Sequence, residues 1–186
     1  MEKIRAFLCI EITDTGILDE IKQVQDEFKH LRSKIKSTER ENLHITLKFL
    51  GDISLETSEK IIALLDQVKF TGFDLTFNGI GCFPNIYRPR IVWIGTEAGT
   101  EAVKNIYSQI ENQLSKFGFK KEKFTSHITI SRVKFFDNGD SNKFVKLIES
   151  FKNKDFGTMN VSSFQLKKST LTPKGPIYET LKDFKV

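Results

Sequence analysis

Hydrophobic and polar positions alternate from the start of the chain. Ile4, Ala6, Leu8, Ile10 and Ile12 interleave with Arg5, Phe7, Cys9 and Glu11, the period-two pattern of a strand over 3–12 buried on one side and partly on both. Thr13-Asp14-Thr15 then offers helix-capping side chains. Ile17, Ile21, Val24, Phe28 and Leu31 follow at spacings of four and three, which predicts an amphipathic helix over 16–32. A polar connection at 33–42 leads to a β-branched, apolar strand at 43–50, closed by Gly51-Asp52. A second helix, about 54–69, carries Ile61, Leu65 and Val68, with Gly72 near its end. Phe73, Leu75 and Phe77 open a further strand, and Gly79, Gly81 and Pro84 are expected to break it, leaving 84–89 as a loop.

From Arg90 the order repeats. Ile91-Val92-Trp93-Ile94 reads as a short buried strand, and Gly99-Thr100 precedes a helix with Val103, Ile106, Ile110, Leu114 and Phe117 on one face, capped by Gly118. A strand at 126–133, a helix at 141–153 with Phe144, Leu147, Ile148 and Phe151, and a strand at 158–168 complete the second round. A last strand at 177–185 has no counterpart in the first half. Strand, helix, strand, helix, strand thus occurs twice, which predicts an internal duplication. The expected fold is α+β, a single domain over 1–186 made of two pseudo-symmetric lobes around a central cleft. The third element of each round would lie at the lobe interface.

Those third elements carry the chemistry. His44-Ile45-Thr46-Leu47 in the first returns as His127-Ile128-Thr129-Ile130 in the second. Successive side chains on a strand point to opposite faces, so His44 shares a face with Thr46, and His127 with Thr129. A lone histidine in a strand is more often an ordinary core residue; a second copy at the equivalent place in a duplicated chain argues otherwise. Two facing imidazoles suit paired acid and base catalysis, because near neutral pH one can accept a proton while the other donates. In-line attack at a phosphodiester needs such groups on opposite sides of phosphorus. The threonine hydroxyls could hydrogen-bond the non-bridging oxygens, where negative charge gathers.

Catalytic zinc needs about three protein ligands, and neither strand brings Cys, Asp or Glu at ligand spacing, so no metal is expected. The third histidine, His30, falls on a helix flank and is expected to face solvent. No serine lies on a Gly-x-Ser-x-Gly turn, which leaves a Ser-His-Asp arrangement unsupported.

Composition narrows the setting. In 186 residues, 39% are apolar and 17 are Phe, enough to bury a core without disulfides. The two cysteines, Cys9 and Cys82, sit in strand-like runs without metal or redox spacing, as in a reduced intracellular protein. No signal-peptide core follows Met1-Glu2-Lys3-Ile4-Arg5, and no apolar run approaches the roughly 18 residues of a membrane span. A cytoplasmic location is the expectation. The net charge of +5 leans toward an anionic partner, although much of it is scattered over helix surfaces.

The paired motifs resemble the twin His-x-Thr-x signatures of the two-histidine (2H) phosphoesterase superfamily. More closely, Asn42-Leu43-His44-Ile45-Thr46-Leu47-Lys48-Phe49-Leu50-Gly51, Phe83-Pro84 with Arg88-Pro89-Arg90, His127 to Arg132, and Leu171-Thr172-Pro173-Lys174-Gly175-Pro176-Ile177-Tyr178 resemble the RNA 2′,3′-cyclic phosphodiesterases, historically called 2′-5′ RNA ligases. The likeness runs from near residue 3 to near 184. It implies two antiparallel sheets with helices on their outer sides around a cleft, and metal-independent opening of an RNA-terminal 2′,3′-cyclic phosphate to a 2′-phosphomonoester, with no cofactor. It also implies His44 as acid and His127 as base, Thr46 and Thr129 on the phosphate, Arg132 assisting, and Phe49 packed on the terminal base. The implied partner is RNA with a cyclic phosphate end or a tRNA half, bound by a monomer, with reversal toward 2′-5′ ligation an open extension.

Strict alternation conflicts with part of this. Arg132 and Phe49 each lie five residues beyond a histidine, on the opposite face by parity, so a bulge or twist is required if they belong to the site. Lys48 is expected on the face of His44 and Thr46. Tyr87, Arg88, Arg90 and Lys174 fall in loops that could rim the cleft and meet single-stranded RNA, or be surface residues. The alternatives are a phosphodiesterase for small cyclic nucleotides or 2′-5′ linkages, a non-catalytic RNA-binding module, and, more remotely, a metal-dependent hydrolase.

Overall fold

The computed structural model describes residues 3–121, 123–173 and 175–186. Its strands are β1 (Lys3–Glu11), β2 (Lys34–Ser37), β3 (His44–Ser54), β4 (Phe73–Phe83), β5 (Ile91–Thr96), β6 (His127–Phe135), β7 (Asp155–Val161), β8 (Ser163–Thr172) and β9 (Gly175–Lys185). The helices are α1 (Thr15–Glu27), α2 (Leu55–Leu65), α3 (Thr100–Gln113) and α4 (Ser141–Ser150). Asp14 caps α1 by accepting from the Ile17 N–H at 3.0 Å, as the Thr-Asp-Thr run suggested.

All pairings are antiparallel, in the order β7-β4-β5-β6-β3-β1-β8-β9, with β2 added to β6. The ladder narrows in the middle. Between β3 and β6 the only registered pair is Ile45 with Ile128, the two residues that directly follow the motif histidines. The sheet is therefore two lobes joined at their motif strands, one of β3, β1, β8 and β9, the other of β6, β5, β4, β7 and β2.

The halves of the sequence do not coincide with the lobes. β4 closes the first round but pairs with β5 of the second, while β8 returns from the second half to pair with β1. Helices exchange as well. α1 packs against β7 and β6 of the opposite lobe, and α2 lies on β3 and against α3. Each lobe thus borrows elements from the other half, and α1 could not bury Ile17, Ile21 and Val24 without the second half in place.

Five expectations need correction. The polar connection contains β2, a short edge strand of alternating exposed and half-buried residues whose pattern is too brief to read. β3 continues through Gly51-Asp52 to Ser54, and β4 through Gly79 and Gly81 to Phe83. The stretch at 158–168 is two strands, β7 and β8, turning at Ser162. The helices end sooner than their apolar periodicity, at Glu27, Leu65, Gln113 and Ser150.

The glycines of β4 mark close approach instead of chain breaks. A Cβ at Gly79, which has φ +70°, would lie 2.5 Å from the Lys152 carbonyl oxygen. At Gly81 a Cβ would lie 2.2 Å from Cζ2 of Trp93, whose indole crosses β4 there. Gly81→Ala should therefore push Trp93 aside and cost about 1–3 kcal/mol of stability. Trp93 is the single tryptophan, so denaturation followed by its fluorescence reads both effects, and an unchanged spectrum and midpoint would contradict this packing.

Candidate active site

β3 and β6 position the site because they run antiparallel through the Ile45–Ile128 pair, and extending that register by one residue sets Thr46 beside His127 and His44 beside Thr129. Thr46 and His127 line one cavity of about 110 Å³ with Phe49, Lys123 and Phe124. The apolar residues between them, Ile45, Leu47, Ile128 and Ile130, are buried on the helix-facing side and anchor both strands. The motif residues themselves are half-buried.

One extra residue in each strand places Phe49 and Arg132. Against β1, Thr46 pairs with Cys9 but Lys48 pairs with Leu8, which leaves Leu47 without a partner. Beyond this bulge Phe49 lies opposite Phe7. Phe7, Cys9 and Glu11 occupy one face of β1, and their partners Phe49, Thr46 and His44 therefore share that face. The second strand does the same against β5. Thr129 pairs with Trp93 and Ser131 with Val92, Ile130 is the extra residue, and Arg132 opposite Ile91 joins His127 and Thr129. Each bulge falls three residues after its histidine. The carbonyl of Ile130 accepts from Gln25 Nε2 of α1 at 2.8 Å and from the Thr38 N–H at 2.9 Å, which pins the second bulge.

The same slip turns Lys48 off the face of His44, although Lys48 still borders the cavity beside Thr46 and Phe49. It is buried on the helix side, ion-paired with Glu111 of α3 and donating to the Lys120 carbonyl at 3.3 Å, so the expectation that it shares the face of His44 is corrected. It is a structural tie between β3 and α3.

Both imidazoles are held alike. Nδ1 of His44 lies 2.7 Å from the Asn42 carbonyl, and Nδ1 of His127 lies 2.7 Å from the Thr125 carbonyl. A carbonyl only accepts, so each Nδ1 carries the proton and each neutral ring has its lone pair on Nε2. Nε2 of His44 accepts from the Thr46 hydroxyl at 3.0 Å. Burial pushes His44 down from the usual 6.5 to about 4; the Asn42 bond opposes this, Lys167 and Arg132 add to it, and Glu11 opposes it. His127 is also lowered, by burial first and by Arg132, against the Thr125 bond. Both rings are therefore neutral at pH 7 and poised as acceptors.

Aromatic rings wall each histidine. Phe7 and Tyr178 stand 5.1 and 5.6 Å from the His44 ring, and Phe83 and Trp93 stand 5.3 and 6.4 Å from that of His127. Tyr178 arrives from β9, whose start is held by Asn42 Nδ2 donating to the Pro176 carbonyl at 3.1 Å. Asn42 thus fixes one His44 wall with its side chain and the His44 tautomer with its backbone. None of these four aromatics was assigned a role from sequence; the available signal was Phe7, set on the polar side of an otherwise regular alternation. Lys36 of β2 lies opposite Arg132 of β6.

Phe49 is 58% exposed, an aromatic face open toward the cavity instead of a core ring. Tyr87 and Arg88 are exposed on a turn closed by Asn85 Oδ1, and Arg90 is exposed at its end. This loop starts at Phe83, beside His127. Lys174 lies outside the described residues. Among the described residues no three His, Cys, Asp or Glu side chains gather as a metal site, and no helix is long and apolar enough to cross a membrane. His30 is exposed, away from both motifs.

Comparison with known proteins gives the same architecture. The chain is 41% identical to the RNA 2′,3′-cyclic phosphodiesterase of Methanocaldococcus jannaschii, over 97% of this chain and 99% of that one. It is 37% identical to the protein of that name from Archaeoglobus fulgidus, again over 97% and 99%. The crystal structure of TT0787 of Thermus thermophilus superposes with a TM-score of 0.81 at 24% identity, covering 98% of this chain and 97% of that one. Apo LigT of Escherichia coli does so with a TM-score of 0.76 at 22% identity, over 100% and 98%. The LigT-like phosphoesterase description matches twice, at residues 10–93 and 94–178, one motif strand in each. The chain belongs to the LigT-like phosphoesterase family.

Proposed function

We propose that this protein hydrolyses the 2′,3′-cyclic phosphate at an RNA end to a 2′-phosphomonoester, with His44 and His127 as the proton-transfer pair and without a metal ion. The observation that carries this reading is the matched pair of imidazoles, each locked through Nδ1 to a backbone carbonyl, on two motif strands that meet at Ile45 and Ile128. The names of the curated relatives support the substrate class.

His127 Nε2 takes a proton from water as its oxygen attacks phosphorus. The P–O3′ bond breaks on the opposite side, and O3′ leaves with the proton carried by His44 Nε2. The product keeps phosphate on O2′ and a free 3′-hydroxyl, and exchange with solvent resets both rings. Thr46 and Thr129 donate to the non-bridging oxygens, and Arg132 offsets their growing negative charge. Phe49 stacks on the terminal base. With an RNA 5′-hydroxyl replacing water, the same pair run in reverse would make a 2′-5′ linkage. The chain acts as one bilobal domain over 1–186 and as a monomer, on RNA or tRNA halves; the free, buried Cys9 and Cys82 support a reducing cytoplasm as its setting.

His44→Ala and His127→Ala should each fold and lose about 10²–10⁴-fold in rate. Wild-type activity should survive exhaustive chelation, and phosphorus NMR of the product should show a 2′-phosphate. Loss of activity to chelator with recovery on adding metal, or a 3′-phosphate product, would refute the scheme.

The pH dependence follows from the lowered histidines. The free enzyme must have one ring charged and one neutral, and both lie below their usual value, so the kcat/KM optimum should fall below about 6.5. A bound anionic phosphate favours the charged imidazole, which moves the kcat limbs to higher pH. Initial-rate profiles test both statements; a kcat/KM optimum above pH 7 would contradict them.

A further inference from the structure

The pseudo-twofold relation makes the two imidazoles alike in tautomer, in bulge and in aromatic walls, yet an acid and a base must differ. The residue across the ladder from each histidine is where they do. Glu11 of β1 lies opposite His44, whereas Gly95 of β5 lies opposite His127. Glu11 is ion-paired with Lys167 of β8, whose side chain is only 7% exposed, against 34% for that of Glu11. Lys167 is registered with Phe7, the ring that packs on His44, so the ion pair lies on the His44 side of the cleft. A buried ammonium is stable there only with its partner. Gln165 completes the frame, accepting from the Glu11 N–H at 3.2 Å and donating to Ser163 Oγ at 2.9 Å.

We propose that the Glu11–Lys167 ion pair is the device that makes the two histidines unequal, with both members acting as positioning residues for His44. The carboxylate gives the His44 imidazolium an anionic neighbour that His127 lacks. Lys167 outweighs that pull, so that the His44 proton leaves readily for the substrate oxygen. This rests on the reading of His44 as a proton-transfer group.

The other titratable groups around His44 do not replace the pair. Cys9, on the same face of β1, is pushed up to about 12 by burial, and Tyr178 of β9 is also raised by burial, so both are neutral at working pH. Arg132 of β6 is cationic and acts on both histidines. Asp183 of β9 lies opposite Gln165 and bears on Cys9. Glu11 is the anion that bears on His44.

The test is an NMR titration of the imidazole Cε1–H signals in the intact protein, comparing wild type, Lys167→Met and the double variant Glu11→Gln/Lys167→Met, with His127 as an internal reference. Lys167→Met leaves the carboxylate uncompensated and should raise the His44 midpoint by about one pH unit. Adding Glu11→Gln should take back part of the rise, and His127 should move much less than His44 in both. A purely structural tie between β1 and β8 would not be repaired by removing its second half. An unmoved His44 midpoint in Lys167→Met, or a rise undiminished in the double variant, overturns the proposal. The midpoints are independent of turnover, so this result stands apart from that of the His44→Ala assay.

Discussion

Leu47 and Ile130 are each one residue too many for the strand that they face, and the composition of the cleft depends on those two slips. A regular ladder would aim Lys48 and Ser131 at the cleft and bury Phe49 and Arg132 beneath the helices. With the bulge, two consecutive residues turn inward, Leu47 with Lys48 and Ile130 with Ser131, and the alternation resumes on the other parity. Histidine, threonine and the residue five positions after the histidine then share one surface. The inward cation does not go unpaired, because Glu111 of α3 meets Lys48.

Strand exchange gives the bulges their value. Because α1 from the first half packs beneath β6 of the second, Gln25 can hold the Ile130 carbonyl, and the second bulge is fixed by a residue far away in sequence. The narrow join at Ile45 and Ile128 then sets the two motif faces side by side without a continuous ladder between them. Rigid strands, not loops, carry the motif histidines and threonines, which suits the proposed reaction and its line-up across one phosphorus atom.

That His44 shares a face with Thr46, and His127 with Thr129, was legible because period two is a strong signal in β-branched runs, and the duplication was legible because strand and helix periods recur in the same order. Phe49, Arg132 and Lys48 could not be placed by parity, since an apolar residue at a bulge looks like any other apolar strand residue. Resemblance supplied the first two; the third was put on the wrong face. Periodicity also carries no information about partners, so the exchange of β4, β8 and α1 between halves was invisible. The Glu11–Lys167 pair was hidden for the same reason, its two halves lying at opposite ends of the chain.

The central claim is that two equivalent imidazoles act from opposite sides of one phosphorus. A crystal structure with a nucleoside vanadate, which presents a five-coordinate centre like that of in-line attack, tests it most directly. Nε2 of His44 and Nε2 of His127 should each lie within about 2.6–3.2 Å of a different apical oxygen, with Arg132 and the threonines at the equatorial ones. Vanadate held by one histidine alone, or by both at the same apical oxygen, would contradict it.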